Sequence, residues 1–140
     1  MLANETQLRV QYYETDQMGV VHHSNYIRYF EIGRTELMRS IGLSYKGMED
    51  SGTVMPITNV EVQYFYPARY DELIYVKSFV KEMPKVRIIF YYEIYNEQRK
   101  LLVSGSTTLA FVNKDTGRPQ RTPEIMIRLL SGYFSNFVTF

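Results

Sequence analysis

Apolar and polar residues alternate in five separate stretches of the chain, and this alternation is typical of β-strands with one buried face. The first stretch runs from Gln7 to Tyr13, where Leu8, Val10 and Tyr12 alternate with polar neighbours. The other four carry their apolar residues at Val60, Val62, Tyr64 and Tyr66; at Ile74, Val76 and Val80; at Val86, Ile88, Phe90, Tyr92 and Ile94; and at Leu101, Val103, Leu109 and Phe111. The pattern predicts one early strand and four later ones.

Turn-forming residues bound the later strands, at 67–71, 83–85, 96–98 and 114–119. Because such short connections join antiparallel strands, we expect consecutive strands to be neighbours in one antiparallel sheet. The run from Ile88 to Tyr92 is apolar on both faces. It therefore predicts either a central strand or a strand at a subunit interface.

Between the first strand and the others, apolar residues recur at helical spacing. Ser24 or Asn25 can cap a helix that ends near Ile41, and Gly42 follows where a left-handed stop costs least. The apolar stripe is wider than that of a simple surface helix, so we expect a sheet to wrap it, with Glu31, Arg34 and Glu36 on the remaining surface.

Residues 44–52 are rich in small residues and are expected to form a loop, and Pro123 opens a short helix over residues 124–130 ahead of an aromatic tail. The predicted order of one strand, one long helix, four strands and one short helix describes an α+β fold. At 140 residues without a linker or repeat, the chain is expected to form a single domain over residues 1–140.

Composition excludes several classes of function. With 16 basic and 15 acidic residues the net charge is only +1, so nucleic acid is not an expected partner. The chain has no cysteine, which removes disulfides and thiolate chemistry and favours a reducing compartment such as the cytoplasm. We expect neither an export signal nor a membrane span. The aromatic tail (Tyr133, Phe134, Phe137 and Phe140) has no basic face, so it is expected to pack on the sheet or on another subunit.

The loop at residues 14–24 carries the candidate chemistry. Asp16, Glu14, His22 and His23 are the acid or base candidates nearest the helix start. An Asp in such a loop is most often a turn-former. Here, however, it precedes a helix whose first N–H groups are unpaired and carry about half a positive charge. A thioester hydrolase needs donors for a developing oxyanion and a carboxylate opposite them, which Gly19 to His23 and Asp16 could supply.

Other kinds of site fit the sequence less well. His22 and His23 with Asp16 or Glu14 suggest a metal site, but adjacent histidines rarely point the same way in a strand or a helix, so no metal is expected. Both histidines could equally be solvated or structural. The chain has no Gly-x-Ser-x-Gly elbow and no glycine-rich phosphate loop.

The segment YYETDQMGVVHHSNYIRYFEIGRTELMR resembles the signature of the 4-hydroxybenzoyl-CoA thioesterase family. VEVQYFYPARYDELIYV and GRPQRTPE are similar to later segments of that family, so the resemblance covers nearly the whole chain. It implies a hotdog fold, in which a five-stranded antiparallel sheet wraps a long central helix, and a homodimer, with tetramers as a further step. The active sites then lie at the dimer interface.

The resemblance also implies roles for individual residues. Asp16 would be the catalytic carboxylate, acting either as nucleophile or as general base, and the backbone N–H of His23 would polarise the carbonyl. The expected substrate contacts are Gly19, Val21, His22, Asn25 and Tyr26. Position 22 is His here, where many relatives carry Tyr or Phe, so substrate choice can differ.

The implied substrate is an acyl-CoA, with coenzyme A as part of the substrate and no cofactor. Lys85, Arg87, Arg118 and Arg121 are candidates for contacts with its phosphates, against the alternative that they are solvated surface charges. An acyl carrier protein is an alternative donor of the acyl group. A non-catalytic lipid- or acyl-binding module is the alternative from another class, and the Asp-x-x-x-x-His motif of a hydratase is not evident on the helix.

Overall fold

The computed structural model describes residues 1–134, which form a sheet curved around one long helix. In chain order the strands and helices are β1 (Leu2–Arg9), α1 (Asn25–Ser40), α2 (Tyr45–Asp50), β2 (Thr53–Val54), β3 (Ile57–Tyr64), β4 (Leu73–Val80), β5 (Arg87–Tyr95), β6 (Leu101–Ala110), β7 (Val112–Asn113) and α3 (Glu124–Leu130). Single 3-10 turns lie at Tyr12–Glu14 and Ser131–Tyr133.

The main sheet has the order β1-β4-β5-β6-β3, and every neighbouring pair in it is antiparallel. Strand β5 lies in the middle of the sheet, which confirms the central-strand alternative for its apolar run. Helix α1 packs across β1, β4 and β5. The predicted α+β hotdog architecture, a five-stranded antiparallel sheet around a long helix, is confirmed.

The inner face of the sheet and one face of α1 form the core. Ile74, Val76 and Val80 of β4 alternate with half-buried residues, as the sequence predicts. The rings of Phe30 and Tyr92 stack with 4.3 Å between their centroids. Burial of each such side chain stabilises the fold by about 1.5–3 kcal/mol, so these contacts fix α1 against the sheet.

One predicted pairing is wrong, because β3 and β4 are not neighbours. Strand β3 pairs with β6 at one edge, and β4 pairs with β1 and β5. The segment of eight residues from 65 to 72 therefore crosses three strand positions, about 14 Å at the usual spacing. Eight extended residues reach up to about 26 Å, so a short connection can serve as a crossover as well as a hairpin. This crossover lies beside the candidate site.

Two predicted boundaries and one predicted loop are also wrong. The first strand is β1, Leu2–Arg9, and not the stretch from Gln7 to Tyr13, because β1 pairs with β4 along its whole length. Residues 45–50 form helix α2 inside the predicted loop, where the Ser44 side chain accepts from the Gly47 N–H and Met48 is buried. The short pair β2 and β7 is a second small sheet that the pattern did not predict.

Arg34 is buried and not on the surface of α1. Its guanidinium donates from Nε to the Tyr45 hydroxyl, and from Nη1 to the Tyr92 hydroxyl at 3.2 Å and Thr107 Oγ1 at 3.4 Å. A buried charge requires such partners. Conversely, Ile27 belongs to the apolar residues that recur at helical spacing, and yet it is 39% exposed.

Met1 lies beside the segment at residues 133–134, where the described part of the chain ends. The Met1 ammonium donates to the Tyr133 carbonyl at 2.6 Å, and Phe134 packs against the core while Tyr133 is exposed. Phe137 and Phe140 of the predicted aromatic tail lie outside the described residues. Across residues 1–134, no helix combines the length and the apolar character that crossing a membrane requires.

Candidate functional site

The loop that carries Asp16 folds back on itself immediately before α1. Thr15 and Val21 form an antiparallel bridge, the Asp16 N–H donates to the Val20 carbonyl at 2.9 Å, and Gly19 turns the chain with a φ of 75°. In this conformation an L side chain at Gly19 would be strained. The loop is therefore a built turn that presents Asp16 at a fixed place.

The two carboxylate oxygens of Asp16 have different surroundings. Its Oδ1 accepts from the Met18 N–H at 2.8 Å, which is the turn-forming role expected of an Asp in a loop. Its Oδ2 receives no hydrogen bond from residues 1–134. The side chain is half-buried, so one carboxylate oxygen holds the turn and the other can act on a ligand.

Ser24, one of the two predicted caps, occupies the N-cap position of α1. Ser24 makes no side-chain cap; instead, its N–H donates to Nδ1 of His22 at 3.3 Å. The Asn25 N–H donates to the His22 carbonyl at 2.9 Å. That carbonyl belongs to the same peptide group as the His23 N–H, so accepting this bond polarises the N–H. Within the described part of the chain, the His23 N–H donates to no acceptor.

The two histidine rings lie against each other, with centroids 4.2 Å apart and planes tilted by 31°. The expectation that they point apart is wrong, because residues 22–24 form a turn in which neither strand nor helix spacing applies. Among the described residues, no three His, Cys, Asp or Glu side chains are grouped so that they could hold a metal ion.

An open cleft of about 260 Å³ adjoins the start of α1. Three of the predicted site residues line it, Val21, His23 and Tyr26, together with Tyr64, Phe65, Tyr66 and Pro67. The Tyr64 hydroxyl donates to the His23 carbonyl at 3.2 Å. Residues 64–67 were not predicted as site residues; the signal in the sequence was a row of aromatic residues where a strand ends in Pro. Among the described residues, Asp16 does not line this cleft.

Two predicted contact residues hold the loops around the cleft. Asn25 is buried, and its Nδ2 donates to the Glu14 carbonyl at 2.8 Å. Tyr26 is also buried, and its hydroxyl accepts from the Ala68 N–H at 3.1 Å. Burial raises the pKa of the Tyr26 hydroxyl, which therefore stays neutral. The crossover at residues 65–72 is tied to the Asp16 loop as well, since the Val21 N–H donates to the Ala68 carbonyl at 2.8 Å.

The predicted basic residues lie elsewhere. Lys85 and Arg87 line a second cleft of about 360 Å³ with Lys81 and Tyr91, at the turn that follows β4. The Asp16 loop lies where β4 begins, so the eight residues of β4 separate the two places by about 25 Å. Arg118 and Arg121 are exposed, and Thr122, next to Arg121, bonds to the Lys85 carbonyl. In the described chain the basic residues do not adjoin Asp16.

Comparison with known proteins identifies the family to which the chain belongs. The model of the Thioesterase-like superfamily matches residues 10–130. YneP of Bacillus subtilis (strain 168), named as a proposed acyl-CoA thioesterase, is 31% identical over 119 residues, covering 85% of this chain and 86% of YneP. The chloroplastic acyl-acyl carrier protein thioesterase ATL2 of Arabidopsis thaliana is 32% identical over 133 residues, covering 94% of this chain and 69% of ATL2.

A solved structure agrees with these relatives. The crystal structure of DHNA-CoA thioesterase from Staphylococcus aureus matches with a TM-score of 0.83 and 34% identity, covering 95% of this chain and 87% of that chain. The family model covers well over half of the chain, and both relatives exceed 30% identity. The chain therefore belongs to the Thioesterase-like superfamily and is a hotdog-fold thioester hydrolase.

Proposed function

We propose that the protein is an acyl-CoA thioesterase that releases a free acid and coenzyme A without a metal or a cofactor. The observation that carries the proposal is the His23 N–H at the start of α1, which donates to no acceptor within residues 1–134. It lies beside an aromatic cleft and next to the turn that presents Asp16. The absence of cysteine fits a reducing compartment, and we place the enzyme in the cytoplasm.

In the proposed reaction the thioester carbonyl oxygen accepts from the His23 N–H. As the carbonyl carbon becomes tetrahedral, negative charge develops on that oxygen, and a fixed donor stabilises it. The free Oδ2 of Asp16 either attacks the carbon, giving an anhydride that water then hydrolyses, or removes a proton from the attacking water. In both routes the C–S bond breaks, the thiolate leaves and takes up a proton, and water supplies the new oxygen of the acid.

A second copy of the chain completes the site in this proposal. Strand β3 is an edge strand whose residues are almost all exposed, including Ile57 at 44%, Val60 at 36% and Tyr64 at 51%. An uncovered apolar edge favours pairing with another strand. Antiparallel pairing of two β3 strands would make a continuous sheet in a homodimer, from which a tetramer can assemble.

This pairing also suggests how coenzyme A is held. In an antiparallel pair, opposite ends of the two sheets lie side by side. The basic cleft with Lys85 and Arg87 of one copy would then lie at the same end of the joined sheet as Asp16 of the other copy. The phosphates of coenzyme A would meet these cations there, with Arg118 and Arg121 as further candidates. Gly19 and His22 lie in the loop that carries Asp16, and they would contact the substrate near the thioester.

An assay of Asp16→Asn tests the proposal. Asn keeps the oxygen that accepts from the Met18 N–H, so the loop should be preserved, and release of coenzyme A from a panel of acyl-CoA thioesters should fall by about 10²- to 10⁴-fold. Asp115→Asn, in the exposed turn after β7, is the matched control. Native turnover by Asp16→Asn would exclude the proposed role. In a single turnover in ¹⁸O-water, label in Asp16 would identify the anhydride route.

A carrier-bound acyl group is the second candidate substrate, favoured by the similarity to ATL2. To decide between the two candidate substrates, kcat/KM is measured for the same acyl group on coenzyme A and on an acyl carrier protein. The larger kcat/KM identifies the preferred donor. A copurified lipid together with inactivity on both series would instead identify a binding module.

A further inference from the structure

Glu14 is bonded through nearly every polar group that it has. Its N–H donates to the Gln11 carbonyl at 3.0 Å, and its carbonyl accepts from the His22 N–H at 2.9 Å and from Asn25 Nδ2 at 2.8 Å. Its carboxylate Oε1 accepts from the Gln11 N–H at 2.7 Å and from the Tyr29 hydroxyl at 3.0 Å. Among the described residues, no other residue of the loop at residues 14–24, the site loop, has so many hydrogen-bond partners.

The bonds of Glu14 join the two halves of the proposed catalytic machinery. Asp16 follows two residues later in the chain, and the His22 N–H that bonds to Glu14 directly precedes the His23 N–H. Asn25 and Tyr29 lie four residues apart and hence on one face of α1. Glu14 thus attaches the Asp16 loop to the first and second turns of the helix.

We propose that Glu14, with Asn25 and Tyr29, positions the Asp16 carboxylate against the His23 N–H, and that it acts as a hydrogen-bond acceptor and not as an acid or base. The inference rests on the proposed function. Both lone pairs of Oε1 are occupied by donors on the protein, so this oxygen serves as a hydrogen-bond acceptor. Those donors are neutral, and no cation forms an ion pair with Glu14 within residues 1–134.

Tyr29 is a suitable permanent donor. It is buried, and this burial together with the adjacent Glu14 carboxylate raises the pKa of its hydroxyl. The hydroxyl therefore keeps its proton across the pH range of any assay of the enzyme. Since a buried side chain bonded at its tip has little freedom, Tyr29 holds the Glu14 carboxylate in one place.

Two substitutions of Glu14 separate an acceptor from an acid or base. Glu14→Gln retains an Oε1 that can accept both bonds, and its kcat should stay within about threefold of the native value, whereas Glu14→Leu removes the acceptor and should lower kcat by about 10- to 100-fold. Tyr29→Phe removes only the donor and should lower kcat by about tenfold. For all three, KM should change by less than about threefold, since the cleft residues are untouched.

The matched control is Tyr92→Phe. It also removes a buried, bonded hydroxyl, but one that bonds to Thr107 and Arg34 away from the site loop. It should lose a comparable or larger share of unfolding stability with native kcat. Loss of kcat in Glu14→Gln equal to that in Glu14→Leu would overturn the proposal, because the charge would then be required. Native kcat in Glu14→Leu would also overturn it.

A measurement without substrate separates this inference from the proposed function. Amide hydrogen exchange in residues 14–23 should become faster in Glu14→Leu and Tyr29→Phe, and stay native in Glu14→Gln and Tyr92→Phe. If the native protein cleaves no thioester but exchange follows this pattern, the proposed function fails and the positioning by Glu14 stands. If the native protein is active but exchange in Glu14→Leu is unchanged, the positioning inference fails.

Discussion

Gly33 of α1 lies directly against Ser78 of β4, and no side chain fits between them. A Cβ at Gly33 would overlap Ser78 Oγ and approach Val76 Cγ1 to 2.7 Å. Ala is favoured over Gly inside a helix by about 1 kcal/mol, but overpacking a core contact costs about 1–3 kcal/mol. We expect Gly33→Ala to lower the free energy of unfolding in urea, and Gly132→Ala, which meets no neighbouring atom, to leave it nearly unchanged. A stabilised Gly33→Ala would show that α1 can move away from the sheet.

Ser78 provides a second prediction, because its buried Oγ has no hydrogen-bond partner in residues 1–134. An unpaired buried hydroxyl costs about 1–3 kcal/mol, so Ser78→Ala should leave stability unchanged or raise it by about 1 kcal/mol. Thr107→Val is the contrasting variant, since Thr107 Oγ1 is 2.6 Å from the Tyr92 hydroxyl and also accepts from Arg34. It should destabilise. Equal losses in both variants by urea denaturation would contradict the assignment.

A third prediction compares two tyrosine hydroxyls around the cleft. Tyr26→Phe leaves the buried Ala68 N–H without an acceptor and should cost about 1–3 kcal/mol of unfolding free energy. Tyr64→Phe frees only the carbonyl of the exposed His23, which water can satisfy, and should cost about 0.5 kcal/mol or less. Chemical denaturation of the two variants in parallel measures the difference. A larger loss in Tyr64→Phe would contradict the burial that distinguishes them.

The fourth prediction concerns alkaline pH. Burial raises the pKa of Tyr29, Tyr45 and Tyr92 above the ordinary value of 10.0. Above about pH 10 the unfolded chain loses these protons while the folded chain keeps them, so the folded state binds more protons and unfolding becomes easier as pH rises. Stability should therefore be fully present below about pH 10 and decline from there toward the raised values. Urea midpoints between pH 8 and 11 measure this decline, and Tyr29→Phe should make it shallower. Urea midpoints that do not change between pH 8 and 11 in the native protein would contradict this prediction.

The central helix and the four later strands were predictable because their patterns are local and regular. The first strand was predicted too far along the chain, because the inner face of β1 carries the polar residues Asn4 and Thr6. These two side chains lie within 3.5 Å of each other, so polar groups are accommodated where the alternation rule expects apolar ones. Helix α2 was missed because it contains Gly47, a poor helix former, and because only Met48 of its six residues is buried. A pattern of apolar residues carries too little information for such elements.

The site was predictable in part. Val21, His23 and Tyr26 line one cleft, because they are close in the chain. The burial of Arg34 could not be predicted, since its acceptors Tyr45 and Tyr92 come from a segment expected to be a loop and from a distant strand. The pairing of β3 with β6 could not be predicted for the same reason, because the local spacing of apolar residues does not depend on contacts that are distant in sequence.

The order of strands in the sheet has a consequence for how the chain folds. The pairs β4–β5 and β5–β6 are local hairpins, whereas β1 must find β4 across the whole helix and site loop, with Leu2 opposite Val80. Pairings distant in sequence form late, because closing the intervening chain costs entropy before any contact repays it. The hairpins should form first and the Asp16 loop last, once α1 and β1 have docked. A growing chain on the ribosome should thus form the Asp16 loop only after nearly all of the sheet has been synthesised.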